Sequence, residues 1–204
     1  MLHEYLILTI GAILVNNFVL SKFLGICPFL GVSRKLDTAI GMSGAVVFVM
    51  TLASLVTSVI NITLLSHTIT FRGDSVSLRF LDTLIFIVVI AALVQLVEII
   101  LQKLAPPLYQ SLGIYLPLIT TNCAVMGVAT INAHATTPVQ SSWYGSTLYG
   151  FCSALGFSLA LILFASLREK LDLAKIPKPF QGMSIALITA GILAMAFIGF
   201  SGLV

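Results

Sequence analysis

The sequence predicts an all-α integral membrane protein: six transmembrane helices arranged as two inverted three-helix repeats, with the first and fourth segments interrupted. Three observations carry this. Only 8% of the residues are charged and 59% are hydrophobic, with a mean hydropathy of +1.13, whereas a soluble domain carries about a quarter of its residues as charges. The apolar residues fall in long, unalternating runs, which excludes a β-barrel, whose strands alternate over about ten residues, and favours helices that satisfy their own backbone in lipid. Finally, a short block occurs twice: Leu24-Gly-Ile-Cys-Pro-Phe-Leu-Gly-Val32 returns as Thr120-Thr-Asn-Cys-Ala-Val-Met-Gly-Val128, sharing Cys-x-x-x-Gly-Val.

Taken in order, the apolar segments lie near 5–26, 38–64, 82–102, 113–132, 145–167 and 183–203, each close to the ~20 residues a span requires. The first lacks a basic leader and an A-x-A-like cleavage site, so it reads as a retained span. The loops are short, and residues 1–204 form a single membrane domain whose halves divide near residue 104.

Lys and Arg distribution sets the orientation. Arg34, Lys35, Lys103, Arg168, Lys170, Lys175 and Lys178 fall in odd-numbered loops, against Arg72 and Arg79 in the second. Odd loops are therefore expected in the cytoplasm and both termini outside. Three spans per half reverse the membrane direction of the second half, the pattern of inverted repeats, whose sites lie at the midplane on broken helices. Thr38-Ala-Ile-Gly41 with Phe48 matches Thr147-Leu-Tyr-Gly150 with Phe157, extending the repeat into the second and fifth spans.

Helix rise explains the interruptions. On a straight helix from Tyr5, Cys27 would lie roughly 33 Å along the axis, whereas Cys123 counted from Gly113 would lie about 15 Å deep. Matching depths require broken segments. Asn16-Asn17, Gly25 and Pro28 supply breaks in the first, and Pro117 with Thr120-Thr121-Asn122 in the fourth. Irregular backbone at membrane depth is tolerated only under protein or around a cavity, so both cysteine loops are expected to face the protein interior.

For Cys27 and Cys123 three readings stand: apolar packing, a disulfide, or thiolate ligation supplying half of a Cys₄ site. Cys152 aligns with Ser43 and reads as packing. Lys22 either snorkels to the interface or faces negative charge near the thiols. Glu98 reads as interfacial and Asp82 as a solvated or cap residue. Asn16, Asn17 and Asn122, with Thr121, lie on the interrupted segments and are expected to support the cysteine loops, while Asn61 reads as bridging helices. His3, His67 and His134 are scattered outside the spans and support no histidine metal site. No phosphate-binding loop, nucleophile elbow or basic face for nucleic acid is present, and no catalytic residue is assigned.

Val15-Asn-Asn-Phe-Val-Leu20, Lys22-Phe-Leu-Gly-Ile-Cys-Pro-Phe-Leu-Gly-Val-Ser33, Leu116-Pro-Leu-Ile-Thr-Thr-Asn-Cys-Ala-Val-Met-Gly-Val128, Ala186-Leu-Ile-Thr-Ala-Gly191 and Phe200-Ser-Gly-Leu203 resemble the A subunits of Rnf complexes, the ion-translocating ferredoxin:NAD oxidoreductases. The resemblance covers nearly the whole chain and is weakest near His67–Arg79 and His134–Trp143. It implies a multi-pass subunit of the bacterial inner membrane, with both termini periplasmic, working in a redox-driven translocase. It further implies pairing with a homologous E subunit of opposite orientation, a [2Fe–2S] cluster held between them through Cys27 and Cys123, and further partners, the B, C, D and G subunits. The rival reading is a small-solute secondary transporter or channel with the same inverted repeat and no redox centre.

Overall fold

The computed structural model describes residues 2–65, 69–71, 74–76, 82–104, 116–135, 137–174, 177 and 180–202. His67, Arg72, Arg79, Lys175, Lys178 and the start of the fourth predicted segment lie outside the described residues.

Among the described residues three helices are long and apolar enough to cross a membrane, Leu36–Thr63, Thr83–Ile100 and Trp143–Asp172, and two shorter apolar helices, His3–Val15 and Met183–Ile198, accompany them. In chain order, α1 (Leu2–Ile10) runs into a π-helical turn at Gly11–Val15. After an irregular stretch come α2 (Ile26–Val32) and α3 (Leu36–Ile60), which also ends in a π turn. A hairpin of β1 (Ile69–Phe71) and β2 (Asp74–Val76) follows, antiparallel with Thr70 opposite Ser75. Next are α4 (Asp82–Leu104), α5 (Leu116–Thr120), α6 (Cys123–Ala133), α7 (Pro138–Ser141), α8 (Trp143–Asp172) and α9 (Met183–Ile198), the last ending in a 3₁₀ turn. The hairpin within the second loop has no counterpart among the expected elements; three-residue strands carry too little alternation to register in a sequence.

Both expected interruptions are present. In the first segment the chain is non-helical from Asn16 to Gly25, and in the fourth at Thr121 and Asn122. The prolines, however, are not where the helices break. Pro28 lies in the first turn of α2 and Pro117 in the first turn of α5, where a missing N–H costs no helical hydrogen bond. Asparagine and glycine do the interrupting instead.

The centre is the antiparallel pair α3–α8, the most extensive contact in the molecule. Ser158 Oγ donates to Ser43 O at 3.4 Å, and at the other end Ser54 Oγ donates to Ser146 O at 2.8 Å. Small residues allow this proximity: a Cβ on Gly150 would fall 2.4 Å from Ser54 Oγ. Met42, Val46, Val49, Met50, Phe157, Leu161 and Phe164 fill the rest of the seam and are buried. α6 joins it through Asn132, whose Nδ2 donates to Ser54 Oγ at 2.7 Å and to Ser146 O at 3.1 Å, while its Oδ1 accepts from Gln140 Nε2 at 3.1 Å. The outward faces of α4 and α9 are apolar and exposed, as at Leu84, Val88, Leu96, Leu187, Ile192 and Met195, the surface that a lipid solvent requires. Because α3 and α8 are antiparallel, Arg34 and Lys35 before α3 share one end of the molecule with Arg168 and Lys170 at the end of α8.

Candidate functional site

The two cysteine blocks meet. The Gly25 N–H donates to Cys123 Sγ at 2.8 Å, joining positions 98 residues apart. Gly25 is left-handed, with φ +80°, and a Cβ there would lie 2.7 Å from Phe157 Cε2 and 3.0 Å from Asn122 Oδ1. Both the backbone conformation and the space demand glycine. The sequence marks Gly25 as a breaker; its role as the donor at the crossing is visible only in three dimensions. The contacts run both ways around the crossing, since Gly127 of the second block lies against Leu24 of the first, and Gly31 of the first against Leu118 of α5, just before the second.

Asn17 holds the first break. Its Nδ2 donates to Ile13 O at 3.2 Å and to Gly156 O at 2.7 Å, and its Oδ1 accepts from Val19 N at 3.1 Å and Leu20 N at 3.4 Å. The side chain thus replaces helical hydrogen bonds lost where the π turn ends and ties the irregular stretch to α8. Gly156 permits that approach, because a Cβ would meet Ile13 O at 2.8 Å. Asn122 holds the second break as the N-cap of α6, its Oδ1 accepting from Ala124 N at 3.0 Å. That bond fixes the amide orientation and leaves the buried Nδ2 without a hydrogen-bond partner among the described residues.

Cys27 and Cys123 are free thiols, and both are exposed. Here the expectation of inward-facing cysteine loops is corrected. Pro28, Phe29 and Val32 turn inward from α2, and Ala124, Val125 and Val128 from α6. At 3.6 residues per turn this directs each cysteine, two residues before Phe29 or Val125, to the opposite face. The loops have buried walls, and the sulfurs look outward. Cys152 is buried and packs, as its alignment with Ser43 implies.

The supporting residues divide. Asn17 and Asn122 bear directly on the two breaks. Thr121 is exposed and its Oγ1 donates to Pro117 O at 2.8 Å, closing the last turn of α5. Asn16 contributes through its backbone, whose N–H completes the π turn by donating to Gly11 O at 2.7 Å. Lys22 is exposed on the irregular stretch with Nζ 5.2 Å from the Phe18 ring centroid, a cation–π contact. Phe23 beside it is also exposed and has φ +54°, a conformation uncommon outside glycine. Asn61 donates to Ala133 O at 3.4 Å, bridging α3 and α6 as expected. Sequence reasoning missed Asn132, although an asparagine inside an apolar segment is itself the signal that could have found it.

Two free thiols on crossed loops, with a backbone N–H already directed at one sulfur, suit a cluster whose other ligands come from elsewhere. Among the described residues no group of three or more His, Cys, Asp or Glu could hold a metal ion.

Known proteins resemble the chain along nearly all of its length. A family model described as "Rnf-Nqr subunit, membrane protein" matches residues 5–204. Proteins named as the A subunit of an ion-translocating oxidoreductase complex, from Actinobacillus pleuropneumoniae serotype 5b (strain L20) and Pseudoalteromonas translucida (strain TAC 125), are each 54% identical over 201 residues, covering 98% of both chains. One of the same name from Serratia proteamaculans (strain 568) is 55% identical over the same coverage. With a match over nearly its whole length, the chain belongs to the Rnf-Nqr family of membrane-protein subunits.

Proposed function

We propose that this chain is the A-type membrane component of an Rnf-type ion-translocating ferredoxin:NAD oxidoreductase. In this reading it spans the bacterial inner membrane six times as two inverted repeats, with both termini periplasmic. The observation that carries the reading is the crossing of the two broken segments, at which Gly25 N–H meets Cys123 Sγ and both Cys27 and Cys123 remain free and exposed.

Cys27 and Cys123 would hold one side of a [2Fe–2S] cluster, and a homologous E subunit in the opposite orientation would supply the other two thiolates; the B, C, D and G subunits complete the complex. Such a cluster supplies one-electron transfer. This chain's own residues hold the thiols in place. Asn17 and Asn122 cap the broken backbone, Gly25 gives a sulfur-directed N–H of the kind that tunes cluster potential, and Phe157 excludes water behind the loop. A charge gained at low dielectric is costly unless compensated. Movement of Na⁺ or H⁺ past the two broken segments would compensate it, which is how we read ion coupling here.

The test is electron paramagnetic resonance on the assembled complex, prepared anaerobically, with Cys27→Ala and Cys123→Ala variants. Loss of one cluster signal together with ion-coupled electron transfer is expected in each. Retention of both signal and coupled transfer in Cys27→Ala would sink the assignment and restore the transporter reading.

A further inference from the structure

At the end of the molecule where basic residues gather, a cleft of about 490 Å³ opens between the C-terminal part of α2, the last turn of α8 and the start of α9. Its lining includes Leu30, Arg34, Arg168, Asp172, Gly182 and Met183. We propose that this cleft binds the phosphate of an anionic phospholipid headgroup.

Arg168 is already set in place. Its Nη1 donates to Leu30 O at 2.9 Å and to Ser33 Oγ at 2.8 Å, and its Cζ lies 5.8 Å from the Phe164 ring centroid. A guanidinium held this way loses little freedom on meeting a ligand, and its planar fork matches phosphate geometry. Arg34 is exposed and lines the same cleft. Among the described lining residues Asp172 is the one carboxylate, so these two arginines and one aspartate sum to a net positive charge. Gly182 precedes α9 with φ +88°, brings no side-chain cap, and has nothing within 4 Å of where a Cβ would be. The positive end of a sixteen-residue helix therefore adds to the same field.

The apolar part of the site favours a lipid over a soluble phosphate. Met183 at the cleft is followed one turn later by Leu187, and both are 53% exposed. Four residues apart on a helix, they share one face and continue from the cleft onto the apolar exterior, as an acyl chain below its headgroup requires. Basic pockets between membrane helices bind anionic headgroups by this combination of charge and apolar track.

The test uses the whole complex carrying the full chain, delipidated, placed in phosphatidylcholine nanodiscs and titrated with phosphatidylglycerol, with bound lipid quantified by mass spectrometry. Arg34→Gln, at an exposed position, is expected to weaken phosphatidylglycerol retention about fivefold, and Arg34→Lys to recover most of it. Asp172→Asn should strengthen retention, a change of sign that misfolding does not produce. Equal retention in wild type, Arg34→Gln and Asp172→Asn would overturn the proposal. So would displacement of the lipid by inorganic phosphate at matched concentration, which would make this a site for a soluble phosphate.

Discussion

The two cysteine blocks share a sequence pattern but are built differently. In the first, the chain leaves helical geometry for ten residues, Asn16–Gly25, before α2 begins, and the stretch is held by one buried side chain, Asn17, which makes four hydrogen bonds. In the second, two residues suffice, and Asn122 does no more than cap α6. The residues aligned by the repeat diverge in the same way. Gly25, pressed against Phe157, aligns with Thr121, an exposed residue, while Phe157 itself is buried and its match Phe48 is 56% exposed. The pattern Cys-x-x-x-Gly-Val thus specifies where the thiols go, and the surrounding residues determine how each loop is supported. The first loop is the more elaborate structure and the more fragile.

That contrast breaks at the sulfurs themselves, where the halves should be equivalent. Cys27→Ser and Cys123→Ser are expected to abolish the cluster signal of the complex to the same degree, since each would remove one of the two thiols proposed to ligate it. A variant that kept both its signal and coupled electron transfer would overturn the proposed ligation.

Elsewhere the halves should differ. Phe157→Ala, in the core behind Gly25, is expected to cost about 3–5 kcal/mol of stability, whereas Phe48→Ala, on the exterior, should fall within about 0.5 kcal/mol of wild type. Thermal unfolding of the complex reads both. Gly25→Ala combines an unfavourable left-handed backbone, about 1–2 kcal/mol, with overpacking against Phe157, about 1–3 kcal/mol. The aligned Thr121→Ala loses a single exposed bond to Pro117 O and should cost about 0.5–1.5 kcal/mol or less. If Gly25→Ala proved as mild as Thr121→Ala, the crossing would be more yielding than its contacts indicate.

How much of this is legible in the sequence follows from which interactions are local. The three long spans, both interruptions and the importance of Asn17 and Asn122 are written in runs, breakers and polar residues within a few positions of one another. The Gly25–Cys123 bond, the fit of Gly156 against Ile13 and the outward turn of the thiols depend on partners roughly a hundred residues away or on helix phase after a break, which no periodicity records. Pro28 and Pro117 mislead for a related reason: proline announces that something changes locally, but a helix start tolerates it as well as a helix end. The short hairpin in the second loop is too brief to leave a pattern.

The smallest effect concerns Asn122, and set against Asn17 it is the most exacting measure of the asymmetry. Asn17→Ala strands the buried N–H groups of Val19 and Leu20, and a buried group left unpaired costs about 1–3 kcal/mol. Asn122 has the opposite ledger. Its Oδ1 caps α6 through Ala124 N, a bond worth about 1 kcal/mol, but its buried Nδ2 has no hydrogen-bond partner among the described residues, a penalty of about the same size. Serine keeps the capping oxygen and removes the orphan donor. Asn122→Ser is therefore expected to leave the unfolding midpoint of the complex unchanged or slightly raised, while Asn17→Ser, too short to span from Ile13 to Gly156, should lower it. A clear loss of stability in Asn122→Ser would mean that the amide donor finds a partner once the neighbouring protein of the complex is seated, and the second loop would then be held as firmly as the first, only by a residue from outside this chain.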